Sequence, residues 1–209
     1  MKHRLTDQYA SFTELSKNKQ KGIDYTVFSR VSESGLLVMA PHGGGIEPGI
    51  SEIVRCLAAD FSVYLLEGLK RSGNKELHVT SAHFDDPLAV QMAERHHYIL
   101  ALHGYEEPSL CRTLVGGTDH KRARIFAEAL HNHGFSAELL AAGAHLSGTN
   151  PASINNRCKT GLSVQLEIST AQRKAMFGRF SLKGREASKN EVFFRYIAAI
   201  KEGIEKVYR

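Results

Sequence analysis

The 209-residue sequence has no tryptophan, five prolines and only three cysteines. Cys56, Cys111 and Cys158 are odd in number and far apart, with no C-x-x-C pair, so neither a disulfide framework nor a cysteine zinc site is indicated. Reduced thiols follow. Also missing is an opening segment that joins basic residues to an apolar run and a small-residue cleavage site. Synthesis in the cytoplasm without a signal peptide is therefore expected, with no membrane partner. The formal charge of +5 favours an anionic partner. Yet the chain shows no stripe of aromatics interleaved with Arg and Lys, so a basic nucleic-acid-binding module without catalysis ranks as a distant alternative. With 42% hydrophobic and 23% charged residues, residues 1–209 suffice for one sizeable core, and a single domain is expected.

The apolar periodicity alternates between strand-like and helix-like. Strands are predicted at 24–30, 35–40, 61–66, 77–80, 97–103, 136–140 and 162–168. Helices are predicted at 50–60, 87–95, 119–133, 170–177 and 191–207, the second capped by Asp86 with Pro87 at its first position. This alternation implies an α/β fold with a mostly parallel mixed sheet covered on both faces.

Within that scheme, Val38-Met-Ala-Pro-His42-Gly-Gly-Gly-Ile-Glu47-Pro-Gly places a histidine and a carboxylate on a glycine-rich turn directly after a buried strand. His103 and Glu167 likewise fall at or near the ends of apolar strands, which in a parallel sheet share one edge. Two histidines and a carboxylate suit one catalytic zinc ion, with a further carboxylate as general base. A glutamate inside Val-Gln-Leu-Glu167-Ile is costly to bury without a purpose. Bland readings remain for each residue taken singly, as polar ends of core strands or an ordinary tight turn. His42, Glu47 and His103 are the expected metal ligands, with Glu52 as a rival to Glu47, and Glu167 is the expected base. Arg157, in the loop before Glu167's strand, is the first choice for a carboxylate clamp. His78 and His83 are expected to contact substrate, and Tyr105 to border the cleft. Lys70, Arg71, Lys75, Arg112, Lys121, Arg122 and Arg124 are further candidates for a basic groove.

The segments Ala40-Pro-His-Gly-Gly-Gly-Ile-Glu-Pro-Gly, Leu77-His-Val-Thr-Ser-Ala-His-Phe-Asp-Asp-Pro, Leu102-His-Gly and Gly161-Leu-Ser-Val-Gln-Leu-Glu-Ile-Ser together resemble the phage-type poly-γ-glutamate hydrolases and their bacterial relatives, over roughly residues 20–205. The resemblance implies a three-layer α/β/α domain of zinc carboxypeptidase-like fold. It places the zinc ligands on His42, Glu47 and His103 and the catalytic glutamate on Glu167. The polyanionic substrate would be cut at its γ-glutamyl amides by a monomer acting outside the cell after lysis. A departure from the wider carboxypeptidase pattern is the five-residue spacing of the first two ligands, with Asn156-Arg157 placed after His103 rather than before it. The main alternative is a zinc amidohydrolase, or deacylase, for small acyl-amino acids, which predicts a closed pocket instead of an open groove.

Overall fold

Leu36 to Ala40 are all buried, and their side chains divide between two cores. Leu36, Val38 and Ala40 enter one apolar cluster, while Leu37 and Met39 enter another. Alternation of side chains across the strand makes this division, and it requires apolar cover on both faces of the sheet. The computed structural model describes residues 7–208. In chain order the elements are α1 (Phe12–Asn18), β1 (Tyr25–Arg30), β2 (Leu36–Gly44), α2 (Ile50–Leu57), β3 (Ser62–Gly68), α3 (Pro87–Arg95), β4 (Tyr98–Tyr105), β5 (Thr113–Gly116), α4 (His120–Asn132), β6 (Ala137–Leu139), β7 (Leu162–Ser169), α5 (Thr170–Ala175) and α6 (Glu191–Tyr208).

The seven strands form one sheet in the order β1-β3-β2-β4-β7-β5-β6. Strands β3, β2, β4 and β7 run parallel, while β1 and the β5–β6 pair run against them. Helices α2, α4 and α6 cover one face, and α1 and α3 cover the other. Helix α2 shows why: Ile50, Ile53, Val54 and Leu57 share one side and are fully buried. Such burial contributes roughly 1.5–3 kcal/mol per side chain before conformational entropy is counted. Among the described residues no helix is long and apolar enough to cross a membrane.

The strand expected at 77–80 is not formed. A 3-10 turn, Asn74–Leu77, leads into extended backbone whose polar groups pair with side chains instead of a neighbouring strand. The carbonyl of Val79 accepts from His42, and the amide of Thr80 donates to Asp7. Strand β2 also continues four residues past Ala40, so His42 lies within its last turns of pleat and not on the turn itself.

Candidate active site

Strand β2 slips register between Ala40 and Gly43, and His42 stands in that irregularity, at the carboxyl end of the parallel strands. Beyond it the chain doubles back: Ile46 N donates to Gly43 O at 3.2 Å and Glu47 N to His42 O at 3.0 Å. The turn lies so close to Asn74 that a Cβ on Gly45 would sit 2.2 Å from the Asn74 amide nitrogen. This return explains how residues five apart face one point.

His42 Nδ1 is 3.2 Å from Glu47 Oε1 and 3.2 Å from His103 Nδ1, and His103 Nδ1 is 3.8 Å from Glu47 Oε2. Donors of a tetrahedral zinc site at about 2.0–2.1 Å from the ion stand roughly 3.3 Å apart, so the two Nδ1 atoms and the Glu47 carboxylate stand at spacings close to the edges of such a site. The Nε2–H of His42 donates to Val79 O at 2.8 Å, which turns its Nδ1 toward the cluster. His103 Nε2 lies 3.0 Å from the Asn155 side-chain amide, whose buried Oδ1 has no partner. Glu47 is fixed by the Gly104 amide, which donates to its Oε2 at 2.7 Å.

His78 stacks on His42 with ring centroids 4.1 Å apart, and its Nδ1 meets the Asp7 carboxylate at 2.6 Å. Donor atoms of His42, Glu47 and His78 fall within 4.8 Å of one another. His78 is thus a second candidate for the third donor. The contacts favour His103, because its Nδ1 lies near both other donors, whereas the His78 side chain is 38% exposed at the mouth of the site.

Glu167 is paired in register with His103 across β4 and β7, so both side chains project from the same face. Gln165, two residues earlier, donates from Nε2 to Glu167 Oε1 at 2.9 Å and to Leu146 O at 3.1 Å, while its Oε1 accepts from Asn155. Burial, and then the nearby Glu47 charge, push the Glu167 carboxyl well above the usual carboxylate range. Burial alone would also raise Glu47, but the facing His42 charge and hydrogen bond win and bring it down to about 2. Burial draws His103 down to about 4. One carboxylate is therefore held ionised beside one that retains its proton readily, the division that acid–base chemistry requires.

The cluster opens into a cleft of about 480 Å³, whose lining includes Asp7, Lys75, His78, Tyr105, Arg173 and Lys174. Tyr105 and Lys75 thus stand where expected. Arg157 does not: it is exposed at the end of the 3-10 turn Ile154–Asn156, and its neighbour Asn155 reaches the site instead. His83 is exposed on the turn Ser81–His83, outside the cleft lining. Glu52, the rival to Glu47 as a ligand, is paired with Arg185 Nε at 2.9 Å. Arg112 is engaged by Tyr105 and Glu138, and Lys121, Arg122 and Arg124 lie on α4. Arg173, on α5 just after the Glu167 strand, was not foreseen. Its only sequence signal is an arginine in the short helix that follows a site-bearing strand.

A buried cluster of histidine and carboxylate donors, set at parallel strand ends beside a protonatable glutamate, marks an α/β protein with a candidate metal-dependent hydrolytic site. The chain belongs to the poly-gamma-glutamate hydrolase family, whose model matches residues 9–199. UPF0714 protein YmaC of Bacillus subtilis (strain 168) is 46% identical over 203 residues, covering 97% of this chain and 86% of that protein. A solved structure named YNDL-apo (Zinc-free) is 44% identical, with a TM-score of 0.95 and coverage of 98% of this chain and 100% of that one. A solved bacteriophage poly-gamma-glutamate hydrolase is 35% identical, with a TM-score of 0.93 and coverage of 97% and 99%. The chain is accordingly an amide-bond hydrolase with a zinc carboxypeptidase-like fold.

Proposed function

We propose that this chain hydrolyses the γ-glutamyl amide bonds of poly-γ-glutamate, with one zinc ion held by His42, Glu47 and His103 and with Glu167 as general base. The observation that carries the proposal is the meeting of His42 Nδ1, His103 Nδ1 and the Glu47 carboxylate at 3.2–3.8 Å where Glu47 lines a cleft, with Glu167 in register with His103 on the adjacent strand. A zinc-free form of a 44% identical relative, and a hydrolase of this polymer among the similar structures, support it. Zinc held there would supply a Lewis acid that polarises the amide carbonyl and acidifies water.

The protein's own groups account for the remainder. Gln165 holds one oxygen of Glu167, so the other is left to take the proton of the attacking water and return it to the departing amine nitrogen. The high affinity of this carboxyl for a proton suits both transfers. His78, oriented by Asp7, stands at the mouth as a substrate contact. Lys75 and Lys174 line the same cleft and give the free carboxylates of the polymer two cations to meet.

Product analysis tests the substrate. Incubation with poly-γ-glutamate should shorten the chain, while N-acyl amino acids should stay intact. Rapid cleavage of the small amides with no change in polymer length would assign the chain to a deacylase.

A further inference from the structure

Arg173 is 4% exposed, and no carboxylate of the described residues lies within ion-pair distance of its guanidinium. Its hydrogen bonds go to neutral oxygens instead. Nε donates to Ile168 O at 3.0 Å, Nη1 to Pro48 O at 2.7 Å, and Nη2 to Tyr105 O and Thr170 Oγ1, each at 3.1 Å. The charges of Glu47 and Glu167 favour the guanidinium from beyond contact distance, and a cation buried on those terms calls for a reason.

The addresses of these acceptors give the reason. Pro48 follows Glu47, Ile168 follows Glu167, and Tyr105 lies two residues beyond His103. One planar fork therefore ties together the three segments that carry the proposed ligands and base. Gly104 makes room for it: a Cβ there would stand 2.6 Å from Arg173 Cζ. The same Gly104 donates its amide to Glu47, so its backbone is held between guanidinium and ligand. A lysine has no fork with which to reach three carbonyls in different directions.

We infer that Arg173 is a positioning residue, whose guanidinium registers the turn after β2 and the ends of β4 and β7 against one another so that His42, Glu47, His103 and Glu167 meet in working geometry. This rests on the metal centre proposed above. It adds a residue that touches neither the ion nor the reacting atoms but on which their arrangement depends.

The test compares wild type with Arg173→Lys, Arg173→Ala and Gly104→Ala, the last displacing the guanidinium without deleting it. Zinc affinity is measured by competition with a chromophoric chelator on protein shown to be folded by circular dichroism, and kcat and KM are measured on poly-γ-glutamate. Loss of groups that orient ligands typically weakens metal binding by about 10–100-fold. That range is expected for all three variants, with kcat reduced, KM nearly unchanged, and partial recovery of Arg173→Ala by millimolar guanidinium. If Arg173→Ala does not fold, Arg173→Lys and Gly104→Ala carry the same comparison. Folded variants with wild-type zinc affinity and kcat, whatever their melting temperatures, would overturn the assignment. So would a rise in KM with kcat intact, which would make Arg173 a substrate-carboxylate contact. A wild type that binds zinc but leaves the polymer uncut would count against the proposed substrate while leaving the affinity comparison in force.

Discussion

Replacing Arg185 with methionine should destabilise the protein through a side chain that lies outside the cluster itself. Arg185 and Glu52 are 2% and 6% exposed, and they meet through Nε and Oε1 at 2.9 Å. Arg185 Nη2 also donates to Gly44 O at 2.8 Å, on the turn that carries Glu47, and Glu52 Oε2 has no partner. Arg185→Met keeps the length and apolar stem but leaves a buried carboxylate without its cation. Removing one side of such a pair costs about 3–5 kcal/mol, whereas removing both charges costs far less. For a protein of this size the loss corresponds to a fall in melting temperature of roughly 6–20 °C, at about 2–4 °C per kcal/mol. Urea denaturation of Arg185→Met, Glu52→Gln and the double variant, combined in a double-mutant cycle, measures the coupling directly. The double variant should be more stable than Arg185→Met alone. A single-variant loss below about 1 kcal/mol, or a double variant no better than the sum of the singles, would show that the buried pair is not coupled. The same Glu52→Gln protein should retain its metal, because Glu52 is turned toward Arg185; loss of the metal would move the third ligand from Glu47 to Glu52.

Three further outcomes are expected. Gln165→Leu removes the donor that holds Glu167 Oε1, and kcat should drop by about tenfold with zinc content unchanged, since one hydrogen bond to a charged group is worth about 1.5 kcal/mol or more; unchanged kcat would remove Gln165 from the site. Lys174→Glu reverses a cleft-lining charge and should raise KM for the polymer, with the difference from wild type shrinking as salt is added; a KM indifferent to both charge and salt would contradict an electrostatic role. Asp85 accepts from Thr13 N and Oγ1, both at 2.8 Å, and although burial opposes the shift, these bonds bring its carboxyl below the usual value. A lowered carboxyl stabilises the fold above its unfolded value of about 3.9 and loses that contribution as pH falls through its folded value. The stability gap between wild type and Asp85→Asn should therefore be constant near neutrality and close in acid, and a gap that widens in acid would reverse the sign.

How far the structure was legible depended on whether a signal was local. Helix α3 runs from Pro87 to Arg95, as its cap and proline indicate, because both act within one turn of the residues they govern. Residues 77–80 have strand-like composition but no strand, since their backbone partners are the side chains of His42 and Asp7, a choice made by tertiary contacts. His42, His103 and Glu167 were visible because polar residues at the ends of apolar strands fall together along one sheet edge whatever the loops do. Arg157 failed for the converse reason: proximity in sequence to Glu167's strand says nothing about which side of a long loop faces the cleft. Arg173 was hidden by its helix, where a buried arginine and a solvated one have the same letter. Its role emerges only when Pro48, Tyr105 and Ile168 are seen around one guanidinium.

In the proposed site three strand-end ligands hold one zinc ion and a separate glutamate moves the proton. Zinc content per chain, measured together with poly-γ-glutamate hydrolysis on wild type, His103→Ala and Glu167→Gln, tests it most directly. One zinc and activity are expected for wild type, loss of both for His103→Ala, and retained zinc without activity for Glu167→Gln. A Glu167→Gln protein that hydrolyses the polymer at the wild-type rate would contradict it.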